Sequence, residues 1–206
     1  NLLGGIIESS KLANIYFIRQ KEAKGLGHAI RCAKSFVGNE PFAVLYGDDV
    51  IVGKEPVCKQ LIDAYDKYGL GVLGAKEVPE KDICKYGSLK VEHLVDNIFK
   101  CTDMVEKPTP DKVLSLYSIL GRCILTPDIF DILDNTKPGV GGEIQLTDAM
   151  RVLARSVGMT MVDFVGKRYD IGNKLGIMKA CVELAMQHNE IGEDFKKYLK
   201  QIVSTF

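Results

Sequence analysis

The chain has 206 residues, with 27 lysines and arginines against 27 aspartates and glutamates, so its formal net charge at pH 7 is zero. Bulk electrostatics therefore give no reason to expect a nucleic-acid partner, and no apolar run is long enough to suggest a membrane span. Six scattered cysteines without a Cys-x-x-Cys pair, and three histidines without metal-like spacing, argue against a disulfide framework or zinc site. They read as reduced thiols, which predicts a cytoplasmic setting. The length suits one large domain with its own core.

Taken in order, Leu2 to Ile7 shows no helix cap and reads as the middle of a larger arrangement. Asn14-Ile15-Tyr16-Phe17-Ile18 is rich in β-branched and aromatic residues and predicts a short strand. It leads through Gln20, Gly25 and Gly27 into Ala29–Val37, an amphipathic pattern that predicts a helix. Such a turn can present backbone N–H groups to a ligand, and the Gln20 amide offers both donor and acceptor. The same pattern also fits a plain strand–loop–helix joint.

Phe42-Ala43-Val44-Leu45-Tyr46-Gly47-Asp48-Asp49 is an apolar run ending in a glycine and two carboxylates, with Val50-Ile51-Val52 behind it. In open α/β sheets ligands collect beyond the carboxyl ends of strands, where Asp48 and Asp49 would sit. The pair is equally good turn chemistry. Because side chains alternate along a strand, the two aspartates are expected to face different ways. Pro56 to Tyr68 then predicts a helix ended by Gly69, and Leu70 to Glu77 another strand. Alternation of strands and helices indicates an α/β class with at least partly parallel pairing.

Tyr86 to Val91 and Asn97 to Val105 predict two further strands, the second running into Glu106-Lys107-Pro108. A carboxylate there can accept from sugar hydroxyls and an ammonium can meet a phosphate, although a solvated surface pair fits as well. Leu114 to Leu125 predicts a strand, and Thr126-Pro127-Asp128 opens a short helix with Thr126 as its cap. A loop from Lys137 to Gly142 precedes a helix over Glu143 to Val157, which places Thr147 and Asp148 inside it. Met159 to Val165 predicts a strand, followed by Asp170 beside Gly172 and by helices over Leu175 to His188 and Asp194 to Ser204. The apolar stripe of the last helix predicts packing on the body of the protein or on a partner subunit, the body being favoured. If the two strand ends converge, Asp48 and Asp170 form half of a hard oxygen site suited to Mg²⁺.

In combination these segments resemble the sugar nucleotidyltransferase family, in its uridylyltransferase branch. The resemblance is carried by Arg19 to Glu22 with Gly25-Leu26-Gly27-His28, Pro41 to Leu45 with Gly47-Asp48-Asp49, and Met104-Val105-Glu106-Lys107-Pro108. Gly121-Arg122, Gly141 to Ala149 and Arg168 to Gly176 complete it. It covers nearly the whole chain and implies a Rossmann-like mixed α/β sheet flanked by helices, with Mg²⁺ held by Asp48 and Asp170. It further implies Gln20 and Gly25 at the uracil, Gly87, Glu106 and Asp49 at the glucose, and Lys107 at phosphate. Catalysis would rest on Lys107, Asp48 and Asp170, with UTP, glucose 1-phosphate and UDP-glucose as partners and a homo-oligomer as the assembly. Asn173 stands where the family commonly has Asp. The family's first strand and its glycine-rich phosphate loop have no counterpart here, so residues 1–206 are expected to be the C-terminal portion of the family domain, with 175–206 a helical segment. Alternatives are a non-catalytic UDP-sugar-binding module or a thymidylyltransferase of the same family.

Overall fold

The computed structural model describes residues 2–205. Its frame is a six-stranded mixed sheet in the order β1-β6-β3-β7-β5-β4. The strands are β1 (Phe42–Leu45), β3 (Gly71–Glu77), β4 (Gly87–Val95), β5 (Ile98–Glu106), β6 (Tyr117–Leu125) and β7 (Met159–Asp163). Only β3 and β7 run parallel; the remaining pairs are antiparallel. A separate two-stranded ribbon joins β2 (Asp49–Val52) to β8 (Lys167–Asp170).

Helices cover both faces of the sheet, which explains why β3, β6 and β7 read as continuous apolar runs rather than alternating ones. On one face α4 (Val57–Tyr68) sets Val57, Leu61 and Ala64 against Val72, Ile124 and Phe164. On the other, α5 (Asp128–Asn135) and α6 (Leu146–Ser156) bury Phe130, Leu133, Met150 and Leu153 against Leu73, Met104 and Met161. The remaining helices are α1 (Leu2–Lys11), α2 (Leu26–Cys32), α3 (Lys34–Val37), α7 (Lys174–Ala185) and α8 (Gly192–Val203).

Several expectations change. Residues Asn14–Ile18 form no strand and belong to no regular element, with Ile15 and Phe17 70% and 95% exposed. β-propensity records that side chains suit a pleated surface, but a strand exists only where another edge accepts its hydrogen bonds. Leu2–Lys11 is helical although it lacks a cap signal. The predicted helix over Ala29–Val37 starts earlier, at Leu26, and breaks at Ala33. Thr126 does not cap α5; its buried Oγ1 has no hydrogen-bond partner, and Pro127 occupies the cap position. Helix α6 begins at Leu146, three residues later than expected, so Thr147 and Asp148 lie in its first turn. Within α8 only Gly192 is buried, and Tyr198 remains exposed. Amphipathic spacing shows that a face asks for cover without saying what provides it.

One polar clamp fixes α6 on the sheet. Arg151 Nε and Arg155 Nη2 each donate to the Asp103 carboxylate of β5 at 2.7 Å. Burial pushes the Asp103 acid upward, but the two guanidinium partners and the Met104 N–H outweigh it and hold it at about 2. A carboxyl lowered by folding contributes stability above its unfolded value of 3.8 and loses it as pH falls toward about 2. Asp103→Asn is therefore expected to lower urea stability at pH 6 and to flatten its dependence on pH between 4 and 2, read from unfolding midpoints across that range.

Candidate active site

The β2–β8 ribbon builds the acidic half of the site. Its register sets Asp49 opposite Asp170, and the Gly47–Asp48 turn just before β2 carries Asp48 to the same end. The Ile171 N–H donates to the Asp48 carbonyl at 2.8 Å and locks the two segments together. The turn expected at Gly47-Asp48 is present.

Asp48 and Asp49 meet different partners: an Asp48 carboxylate oxygen lies by Gly172, while Asp49 turns to Arg168. Asp49 is 6% exposed and its carboxylate is taken by Arg168 Nε. Arg168 also lies over the Tyr86 ring, 5.3 Å from its centroid, and approaches Asp170 Oδ2 at 3.8 Å. Tyr86 donates its hydroxyl to the same Asp170 oxygen at 3.3 Å. The other Asp170 oxygen accepts from the Gly172 N–H at 3.0 Å. Burial raises the Asp49 acid above its ordinary value in spite of Arg168, and the charges of Asp48 and Asp170 push the same way. Asp49 and Asp170 therefore share one arginine, and Asp48 is close enough to act on the charge of Asp49.

This crowding gives a test of fit for a cation. A Cβ built on Gly172 would lie 3.1 Å from Asp48 Oδ2 and 3.1 Å from Asp170 Oδ1. The bare glycine leaves open the space where the two carboxylates face each other. Two hard anionic oxygens beside a vacated Cβ position suit a small divalent cation completed by ligand and water oxygens. Among the described residues no cluster of three or more ligating side chains assembles.

The second half comes from the end of the large sheet. Glu106 pairs with Gly87 across β4 and β5, and its Oε2 lies 3.2 Å from where a Gly87 Cβ would be. Thr147 Oγ1, in the first turn of α6, donates to that oxygen at 2.7 Å. The two halves face each other across a cleft of about 190 Å³ whose lining includes Leu26, Asp48, Gly87, Glu106, Thr147 and Asp170.

Five of the expected site residues, Asp48, Asp49, Gly87, Glu106 and Asp170, line this cleft. Lys107 follows immediately; it is exposed, its N–H donates to the Tyr86 carbonyl at 3.0 Å, and its φ is 41°. A non-glycine residue rarely adopts that backbone. Gln20 and Gly25 lie beside the lining residue Leu26 and hold each other, with Gln20 Nε2 3.2 Å from the Gly25 carbonyl and 2.9 Å from His28 Nδ1. Gly25 has φ 90° and touches the residues before α6: a Cβ would stand 2.7 Å from that of Glu143.

Sequence reasoning missed Tyr86, Arg168 and Thr147. Arg168 and Thr147 stood inside quoted motifs, but only the β2–β8 register and the later start of α6 direct them inward. The residues lining the cleft include no cysteine, and burial pushes the Cys101 and Cys123 thiols up to about 12.

A profile of the family described as nucleotidyl transferase matches residues 5–187. The chain belongs to the nucleotidyl transferase family. A relative from Staphylococcus epidermidis named UTP–glucose-1-phosphate uridylyltransferase is 45% identical over 202 residues, covering 98% of this chain and 70% of its own length. A crystal structure of UDP-glucose pyrophosphorylase complexed with UDP-glucose superposes with a TM-score of 0.87 at 39% identity, over 91% of this chain and 72% of that one. A UTP-bound enzyme of the same kind from Acinetobacter baumannii gives 0.86 at 30% identity, over 96% and 70%. This nucleotidyl transferase therefore has the mixed α/β architecture expected of it, and the relatives are longer.

The Asp49–Arg168 pair generates a stability prediction. Removing Arg168 alone strands a buried carboxylate, which costs about 3 kcal/mol. Arg168→Gln is expected to show that loss in urea unfolding, and Asp49→Asn added to it should restore more than half.

Proposed function

We propose that this chain is a uridylyltransferase that forms UDP-glucose and pyrophosphate from UTP and glucose 1-phosphate. The observation that carries the reading is the meeting of the Asp48 and Asp170 carboxylates at Gly172, across one cleft from Glu106. It is supported by the 45% identity to a relative named for this reaction and by the likeness to a structure holding UDP-glucose.

In the reaction a phosphate oxygen of glucose 1-phosphate attacks the α-phosphorus of UTP. The bond from that phosphorus to the bridging oxygen breaks, and pyrophosphate leaves with the electron pair. No protein nucleophile is required, so catalysis rests on positioning and charge. Asp48 and Asp170 would hold a divalent cation, Mg²⁺ by their hard oxygen donors, and its charge would offset that of the phosphates. Tyr86 and Arg168 keep Asp170 oriented for that task. Glu106, itself steadied by Thr147, accepts hydrogen bonds from glucose hydroxyls, and the missing Cβ of Gly87 leaves room for the ring. Lys107 brings an ammonium to the sugar-linked phosphate. Gln20 and Gly25 read the uracil from the loop beside Leu26. Asp49, one of whose carboxylate oxygens is taken by Arg168, stands at the edge of the sugar side.

Residues 1–206 form one nucleotidyltransferase unit in this reading, with 175–206 a helical appendage. Six free cysteines are consistent with a reducing, cytoplasmic setting. Among the described residues no helix is long and apolar enough to cross a membrane. The exposed side of α8, with Tyr198 and Val203, is the natural contact for a homo-oligomer.

Two measurements test this. Calorimetric titration with UDP-glucose is expected to give Mg²⁺-dependent binding that Asp48→Asn abolishes, together with pyrophosphate release when UTP and glucose 1-phosphate are supplied. Binding without any turnover would instead make the chain a UDP-sugar-binding module. Lys107→Gly separates a working side chain from a structural one. Glycine relieves the positive φ, so stability should hold or rise by up to about 1 kcal/mol, while turnover falls about 100-fold.

A further inference from the structure

Behind the Tyr86–Arg168–Asp170 wall of the cleft lies a second, larger depression of about 1030 Å³. It shares Lys85, Tyr86, Arg168 and Asp170 with the cleft, so the two spaces adjoin across these residues. Its far walls are the loop before the Ile83–Lys85 turn and the first turns of α7.

The charges here are arranged in two tiers. Lys85 is held by Asp82 at 2.6 Å, and Lys167 is held by Glu183. Those carboxylates are thereby occupied. Lys81 and Lys179 line the trough from opposite walls, both exposed, and neither forms an ion pair among the described residues. The open N-terminal end of α7, capped by Asn173 accepting from the Gly176 N–H at 2.7 Å, adds its positive dipole end to the same wall. The result is a surplus of positive charge in a concave space on a chain whose net charge is zero. Focused potentials of this kind raise the local concentration of small anions.

We propose that this trough is an antechamber that binds phosphate-bearing small molecules exchanging with the cleft, through Lys81 and Lys179. The inference rests on the uridylyltransferase reading, in which two such molecules must pass: glucose 1-phosphate entering and pyrophosphate leaving. Both present the same chemistry, a multiply charged phosphate that an ammonium on each wall can meet.

The test uses the 206-residue chain carrying Lys81→Gln and Lys179→Gln together. Neither residue touches the cleft lining, so the maximal rate should hold. The KM for glucose 1-phosphate in synthesis, or for pyrophosphate in the reverse direction, is expected to rise about fivefold at low salt and to approach the parent value at high salt. A rise confined to one reactant identifies which molecule the trough serves, and a rise in both makes it common to the two. Unchanged KM values for both, with full turnover, would overturn the proposal. If the parent chain shows no turnover, the failure belongs to the functional reading, and calorimetry with inorganic pyrophosphate then decides the trough. Binding that Asp48→Asn keeps and the double lysine variant loses supports it; binding equal in the parent and the lysine variant, or none in the parent, overturns it.

Discussion

The buried ion pair between Asp49 and Arg168 is the constraint on which the site depends. It lies inside the β2–β8 ribbon, the element that does not belong to the main sheet, and joins the two strands through their side chains as well as their ladder. A carboxylate with so little exposure would be costly without a cation. With Arg168 in place, the guanidinium is also fixed over Tyr86, and the two together fix Asp170. Asp48 is then left as the acid whose carboxylate faces outward from the turn. One adjacent pair of aspartates thus divides its labour: both line the cleft, and the second is also tied to the scaffold through Arg168.

The opposite wall follows a similar logic with different chemistry. Glu106 ends β5, Thr147 lies in the first turn of α6, and the Asp103 clamp, one and two turns further along α6, decides how that helix sits on the sheet. A hydrogen bond of 2.7 Å between Thr147 and Glu106 tolerates little sliding of the helix. The clamp, remote from the cleft, therefore sets the aim of a cleft carboxylate. This is support from a second layer of residues, without which a site can hold every expected side chain in a loose geometry.

Much of this was legible in the sequence, and the reasons differ by element. Helix α4 could be read almost to the residue, because Gly69 in a left-handed conformation ends it by backbone geometry alone. Strands β3 and β6 were expected over residues 70–77 and 114–125 and lie at Gly71–Glu77 and Tyr117–Leu125. Asp48, Glu106 and Asp170 could be located because glycine and proline punctuate the strand ends that carry them. What could not be read was pairing. Nothing local says that Val50-Ile51-Val52 leaves the main sheet to join Lys167-Arg168-Tyr169, and so nothing local says that Arg168 points at Asp49. The same gap explains Asn14–Ile18, a good strand sequence without a neighbouring edge. It also explains Thr147, whose role depended on where α6 begins.

The strand pairings also govern how the chain reaches this state. Among the described residues only β4 and β5 pair as sequence neighbours; β1 waits for β6, β2 for β8 and β3 for β6 and β7. During synthesis the early strands emerge with their partners still unmade, and closing such long loops costs entropy before any contact repays it. The β2–β8 ribbon closes across most of the chain and is completed after the core strands exist. Competence to bind is therefore acquired late on the ribosome, and the newborn chain spends that interval with unpaired edges in need of protection from aggregation.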